Sequence, residues 1–306
     1  MRWSRRDILN AASTKAALTG VAFAAFAPAS AQALLWPPKQ AQPLPTPMRK
    51  RLVCIGGTIT EILYDLDCEA MIVGVDSTSN YPVQALREKE NIGYMRQISP
   101  EGVLSLNPSA VLVMRNAGPK AALEQIARSP VPMIYVDATA TAAAVIARIK
   151  FLGTLLNAQA KTALLAADVQ FGFAQLANFT ASQRLRPRVM FVLMAAGNQV
   201  MVGGKGTAAD EIIRLAGGEN AAAASQGYQM IGAESVISMA PEIVLTMRNA
   251  GVPLPETLLK TGGFRATPAG KKNALIAMDG ELLLGFGPRT PQAGLDLARR
   301  LQALAV

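Results

Sequence analysis

At 306 residues, just over half of them apolar, the chain can bury one large core or two of ordinary size, and its 30 Lys and Arg against 21 Asp and Glu give a formal charge of +9. It contains no histidine, which excludes a His-dependent catalytic triad and any His ligand to a metal. No run of Lys and Arg is built to follow a phosphate backbone, so no nucleic-acid partner is expected, and beyond the N-terminal segment no 18 consecutive uncharged apolar residues predict a spanning helix.

Residues 1–33 read as a cleaved export signal: Arg2, Arg5 and Arg6 precede an Ala-rich uncharged run that closes on the small-x-small patterns Ala29-Ser30-Ala31 and Ala31-Gln32-Ala33. Ser4-Arg5-Arg6-Asp7-Ile8-Leu9 has the form of a twin-arginine signal, and export points to a periplasmic location. Residues 34–48 follow as a tether, because Pro37, Pro38, Pro43, Pro45 and Pro47 are too closely spaced for helix or strand. Cleavage removes four cations and Asp7, lowering the charge from +9 to +6. That modest excess favours a small anionic ligand. Cys54 and Cys68 suit a buried free pair as well as a bridge.

The mature chain divides into an N-terminal lobe (49–140), a linker (141–185) and a C-terminal lobe (186–306). Leu52-Val53-Cys54-Ile55 predicts a strand running into Gly57-Thr58 and a helix over 61–66. Residues 99–118 repeat at 232–251 with a constant offset of 133, eleven of twenty positions being identical. Each copy reads as a short helix opened by Glu101 or Glu234, a stop at Pro108 or Pro241, an apolar strand, and a polar Arg-Asn-Ala-Gly turn at Arg115 or Arg248. A looser echo of the first strand lies at 189–193, with Gly206-Thr207 and a helix over 211–215 behind it. Residues 158–183, with many Ala and Leu, one Gly and no Pro, predict a single helix about 38 Å long.

The expected architecture is therefore α/β, with two Rossmann-like lobes of parallel strands joined by one long helix; a single doubly wound enzyme domain is the alternative. Arg115 and Arg248 fall just past strand ends, where open α/β sheets bind ligands. Enzyme signals are missing: there is no Gly-x-Gly-x-x-Gly after the first strand and no Walker lysine motif, and Gly203-Gly204-Lys205-Gly206-Thr207 lacks the phosphate-loop spacing.

Several stretches from Arg51 onward form a set: Gly56-Gly57-Thr58-x-Thr60-Glu61, the stretch from Gly74 to Tyr81-Pro82, Glu101-Gly102-Val103-Leu104-Ser105-Leu106-x-Pro108, Gly217-Gly218-Glu219-Asn220 and Gly285-Phe286-Gly287-Pro288-Arg289-Thr290. Through them the chain resembles the substrate-binding proteins of ABC importers for vitamin B12, ferric siderophores and haem. Gly93-Tyr94-Met95-Arg96 ahead of the Glu101 motif looks like the haem branch. The resemblance implies a class III periplasmic binding protein fold with small closure. It implies a monomer, not an enzyme, that carries haem b as transported ligand to an ABC transporter permease dimer; a ferric siderophore or corrinoid is the alternative cargo.

On that footing Tyr94 is the candidate axial ligand, since a phenolate is a hard donor suited to ferric iron. Its phenol needs help to ionise at neutral pH, and Arg96, two residues on and on the same side if the segment is extended, is placed to give it. Tyr81, in the loop after the second strand, is the second candidate ligand. Arg248 is assigned to the pocket, a guanidinium being matched to haem propionates. Glu101 and Glu234, by likeness to the vitamin B12 relatives, are assigned to docking on the two permease subunits.

Overall fold

The structure, a computed structural model, describes residues 42–248, 255–261 and 263–305. The export signal, most of the tether and the Asn-Ala-Gly part of the second polar turn lie outside the described residues. In the N-terminal lobe, β1 (Leu52–Ile55), α1 (Gly57–Asp65), β2 (Ile72–Val75), α2 (Gln84–Glu88), β3 (Glu90–Asn91), α3 (Pro100–Leu104), β4 (Ala110–Met114), α4 (Lys120–Ala127) and β5 (Met133–Val136) follow one another. The five strands are all parallel, in the order β3-β2-β1-β4-β5. β1 and β4 are buried along their whole length, the continuous apolar run that a two-sided parallel strand needs.

α1 begins four residues before the expected position. Its first amides are satisfied from a distant loop: Asp76 Oδ1 accepts from Gly56 N–H at 2.7 Å and Thr78 Oγ1 from Gly57 N–H at 2.9 Å. With those donors paired, Gly57 and Thr58 enter the helix although no local cap announces it.

α5 (Ala142–Leu156) and α6 (Gln159–Ala181) link the lobes. α5 starts at Thr141, whose hydroxyl accepts from Ala144 N–H, and stops at Asn157 in the left-handed conformation, φ 61°. α6 is the long helix expected from the sequence, trimmed by one residue at its start and two at its end. It packs between α5 and the last helix.

The C-terminal lobe runs β6 (Arg188–Ala196), β7 (Gln199–Gly203), α7 (Ala208–Leu215), β8 (Glu219–Asn220), β9 (Tyr228–Gly232), α8 (Ala233–Met239), β10 (Ile243–Met247), α9 (Pro255–Leu258), α10 (Pro268–Lys272), β11 (Leu275–Met278), α11 (Gly280–Leu284) and α12 (Thr290–Ala305). Its sheet is ordered β11-β10-β6-β7-β9, with β8 beside β6. The expectation of an all-parallel sheet is corrected here. β7 is antiparallel to β6 and β9, because the two-residue Gly197-Asn198 turn folds it straight back on β6.

The repeat is visible in the backbone: α3 and β4 correspond to α8 and β10. Arg115 N–H donates to Val136 O at 2.9 Å, and Arg248 N–H to Met278 O at 2.8 Å. One apolar cluster runs through both lobes, from Leu52 and Cys54 through Ile149 and Leu176 to Phe191, Leu245 and Leu297. Cys54 and Cys68 are both free and buried, and burial pushes both thiols up.

Candidate functional site

The C-terminal ends of the two parallel strand sets mark out the candidate cleft. On the N-terminal side, Gly93 turns the chain with φ 93°, a conformation that a side chain at this position would strain. Tyr94 follows, 45% exposed, and its carbonyl accepts from Gln97 N–H at 2.7 Å. That bond closes a turn over 94–97, so Tyr94 and Arg96 are its first and third residues rather than neighbours on an extended segment. Arg96 is exposed. Its charge acts on Tyr228 at the start of β9, in the other lobe. The Tyr228 phenol is raised by burial, and the raising is opposed by Arg96 and by hydrogen bonds with the Ala209 backbone and the Thr207 side chain.

On the C-terminal side, Arg248 is exposed at the end of β10, with its Nε donating to Ala277 O at 3.2 Å. Its repeat partner Arg115 lies 5.7 Å from the centroid of the Tyr135 ring. Glu101 and Glu234 are each the second residue of a helix, α3 and α8, and both are exposed.

Behind the cleft the lobes are tied by a buried polar seam. Arg289 Nε and Nη2 each donate at 3.0 Å to Glu61, a bidentate pair, and the Arg289 backbone N–H adds a third bond to Glu61 at 3.2 Å. The same guanidinium sits 3.5 Å from the Tyr81 ring centroid, so Tyr81 serves as a platform for this pair. The Thr58 hydroxyl donates to Gly285 O at 2.6 Å, and Arg148 Nη1 to Phe286 O at 2.7 Å. Glu281 lies against Thr58 at 3.4 Å; burial pushes its carboxyl up to about 8, Asp76, Glu61 and Asp279 add to this, and Arg289 opposes it. Backbone approach is tight here: a Cβ on Gly57 would meet Glu281 Oε1 at 2.8 Å.

The family model described as periplasmic binding protein matches residues 52–282, three quarters of the chain and parts of both lobes. The chain belongs to the periplasmic binding protein family. It is similar in structure to the periplasmic haem-binding protein RhuT from Roseiflexus sp. RS-1, with TM-score 0.80 and 35% identity over 84% of this chain and 99% of that one. It is similar also to the periplasmic haem-binding protein BhuT in complex with two haems, with TM-score 0.79 and 34% identity over 84% and 99%. Among curated sequences, a vitamin B12-binding protein of Vibrio parahaemolyticus is 23% identical over 83% of this chain and 90% of its own length.

As a periplasmic binding protein the chain is a solute binder and not an enzyme. No helix among the described residues is long and apolar enough to cross a membrane, and none of their Cys, Asp and Glu form a group of three able to hold a metal. Tyr228, Arg148, Glu281 and the pairing of Glu61 with Arg289 were not found from the sequence. Glu61 and Arg289 both sit in motif stretches, but a motif does not say what touches what across 228 residues.

Proposed function

We propose that this periplasmic binding protein captures haem between its lobes and delivers it to an ABC transporter permease. The observation that carries this reading is Tyr94, a phenol held out on a Gly93 turn at the N-terminal side of the cleft in a chain that has no histidine. Tyr94 binds ferric iron as its phenolate, Arg96 supplies positive charge beside it, and Arg248 faces a propionate from the opposite lobe. Identity of 35% and 34% with two haem-binding proteins, over nearly their full lengths, supports the same cargo. Tyr81 is left to the seam, because its ring already carries Arg289. In this reading residues 1–33 direct export, the mature protein works in the periplasm, and Glu101 and Glu234 meet the permease.

The similarity to vitamin B12-binding proteins supports a second cargo, a corrinoid. Hemin and cyanocobalamin titrations of the purified protein separate the two. Haem binding is expected, with the charge-transfer absorption of ferric tyrosinate. Tyr94→Phe is expected to lose that absorption and to release hemin at least about tenfold faster, with apo unfolding unchanged because the side chain is half in solvent. Saturable cobalamin binding without a hemin spectrum would replace haem by the corrinoid.

A further inference from the structure

Three methionines stand in one row across the C-terminal sheet. Met194 of β6 pairs with Met201 of β7, and Met201 pairs with Met230 of β9. Directly opposed residues on antiparallel strands share a face, so the three thioethers form a strip about 10 Å across, two inter-strand spacings. A bulge between Val192 and Met194 puts Met194 on this face: Val192 pairs with Val202, and after the shift Met194 pairs with Met201.

Its face is fixed by Tyr228. That residue is two before Met230 on the same strand and therefore points the same way. Its phenol bonds with the Ala209 backbone and feels Arg96 of the other lobe. A Cβ on Gly203, the partner of Tyr228, would meet Ala209 at 2.8 Å and Thr207 at 3.2 Å. The start of α7 thus covers one end of this face, where Tyr228 packs against the apolar cluster that the two lobes share. Beyond α7 the strip is uncovered: Met194 is 38% and Met230 39% exposed, whereas Val200 and Val202, on the opposite face of β7, are fully buried.

We propose that Met194, Met201 and Met230 form a subsite of the cleft that packs flat against the apolar face of a tetrapyrrole macrocycle. This rests on the reading of the cleft as a haem site. Unbranched polarizable thioethers fit themselves to a planar ring. As soft donors they are poorly matched to ferric iron, so they cover the macrocycle without displacing the Tyr94 phenolate.

The test uses the mature protein labelled with methyl-13C methionine, the three resonances being assigned from Met194→Leu, Met201→Leu and Met230→Leu. Titration with zinc protoporphyrin, which is diamagnetic, is expected to move all three methyl signals by ring current. Replacing the three together by Ser is expected to weaken porphyrin binding at least about tenfold, while replacing them together by Leu keeps it within about threefold. Apo melting separates loss of the subsite from loss of fold, since the side chains are partly in solvent. If porphyrin binds with a Tyr94-dependent spectrum and the three methyls stay still, the subsite is wrong and the haem reading stands. If no porphyrin binds at all, both fall together.

Discussion

Glu281 sits in the first turn of α11, where a helix N-terminus favours the carboxylate by about 0.3–1 kcal/mol. Burial beside Asp76, Glu61 and Asp279 outweighs that preference and holds the carboxyl at about 8 against an ordinary 4.5. Thr58 has a single hydroxyl proton, and the 2.6 Å contact with Gly285 O claims it, so the 3.4 Å contact to Glu281 is left for the acid's own proton. An acid whose folded pKa lies above its unfolded one binds more protons when folded. Its contribution to stability is therefore complete below about 4.5 and is lost as pH rises through about 8. Glu281→Gln, neutral at every pH, is expected to melt higher than the wild type at pH 9, by about 2–4 °C for each kcal/mol recovered, and to match it at pH 5. Equal melting of the two proteins at pH 9 would mean that the carboxylate is solvated in the folded state. Nothing local in the sequence marks this residue, because its pKa is set by groups from both lobes. Arg248 was singled out for the opposite reason, that it follows a strand directly and strand ends are where such sheets bind ligands, and Tyr94 through the likeness of Gly93-Tyr94-Met95-Arg96 to the haem branch.

Helix α5 carries a fully buried arginine in the middle of its apolar face. Arg148 donates through Nε to Asp137 O at 2.7 Å, through Nη2 to Thr139 O at 3.1 Å and through Nη1 to Phe286 O at 2.7 Å, so α5, the loop after β5 and the loop before α12 share one side chain. Burial lowers its pKa to about 10 and the Asp137 charge resists this, which leaves the guanidinium ionised at neutral pH. Arg148→Met would fill much of the same volume but leave three carbonyls without their donor. At about 1–3 kcal/mol for each stranded group, a loss of about 3 kcal/mol or more is expected in urea unfolding at pH 7. A loss under about 1 kcal/mol would mean that water replaces the guanidinium at no great cost. Elements with a periodic or repeated pattern, such as β1, β10 and α6, were readable from the sequence. The start of α1 was not, since its amides are capped from residues 20 positions away. The reversal of β7 had a local signal, Gly197-Asn198 between two apolar runs, which marks a hairpin.

At the scale of the whole molecule the 133-residue repeat sets two acidic helix starts on two lobes whose separation is held by the seam of Glu61 with Arg289, Arg148 with Phe286 O and Thr58 with Gly285 O. Glu101 and Glu234 are both exposed, and among the described residues neither is in an ion pair. Their local contribution is a few tenths of a kcal/mol each through the helix dipole, which leaves both carboxylates free to meet cations on a partner. Two equivalent charges at a fixed spacing match a permease dimer, whose two-fold axis presents the same basic patch twice. A close charge pair across an interface is worth about 1.5 kcal/mol or more, so Glu101→Ala or Glu234→Ala alone is expected to weaken docking at least about tenfold. The double variant is expected to abolish uptake nearly completely. Lys at either position is expected to be worse than Ala, since it opposes like charges where Ala only deletes a pair. Hemin titration of the same proteins is expected to be unchanged, because neither glutamate belongs to the proposed haem-binding set. Transport into reconstituted vesicles, measured beside that titration, decides the matter. Normal uptake by the double variant, or a parallel loss of haem binding, would reduce the two glutamates to helix-start residues and return the docking surface to other parts of the lobes.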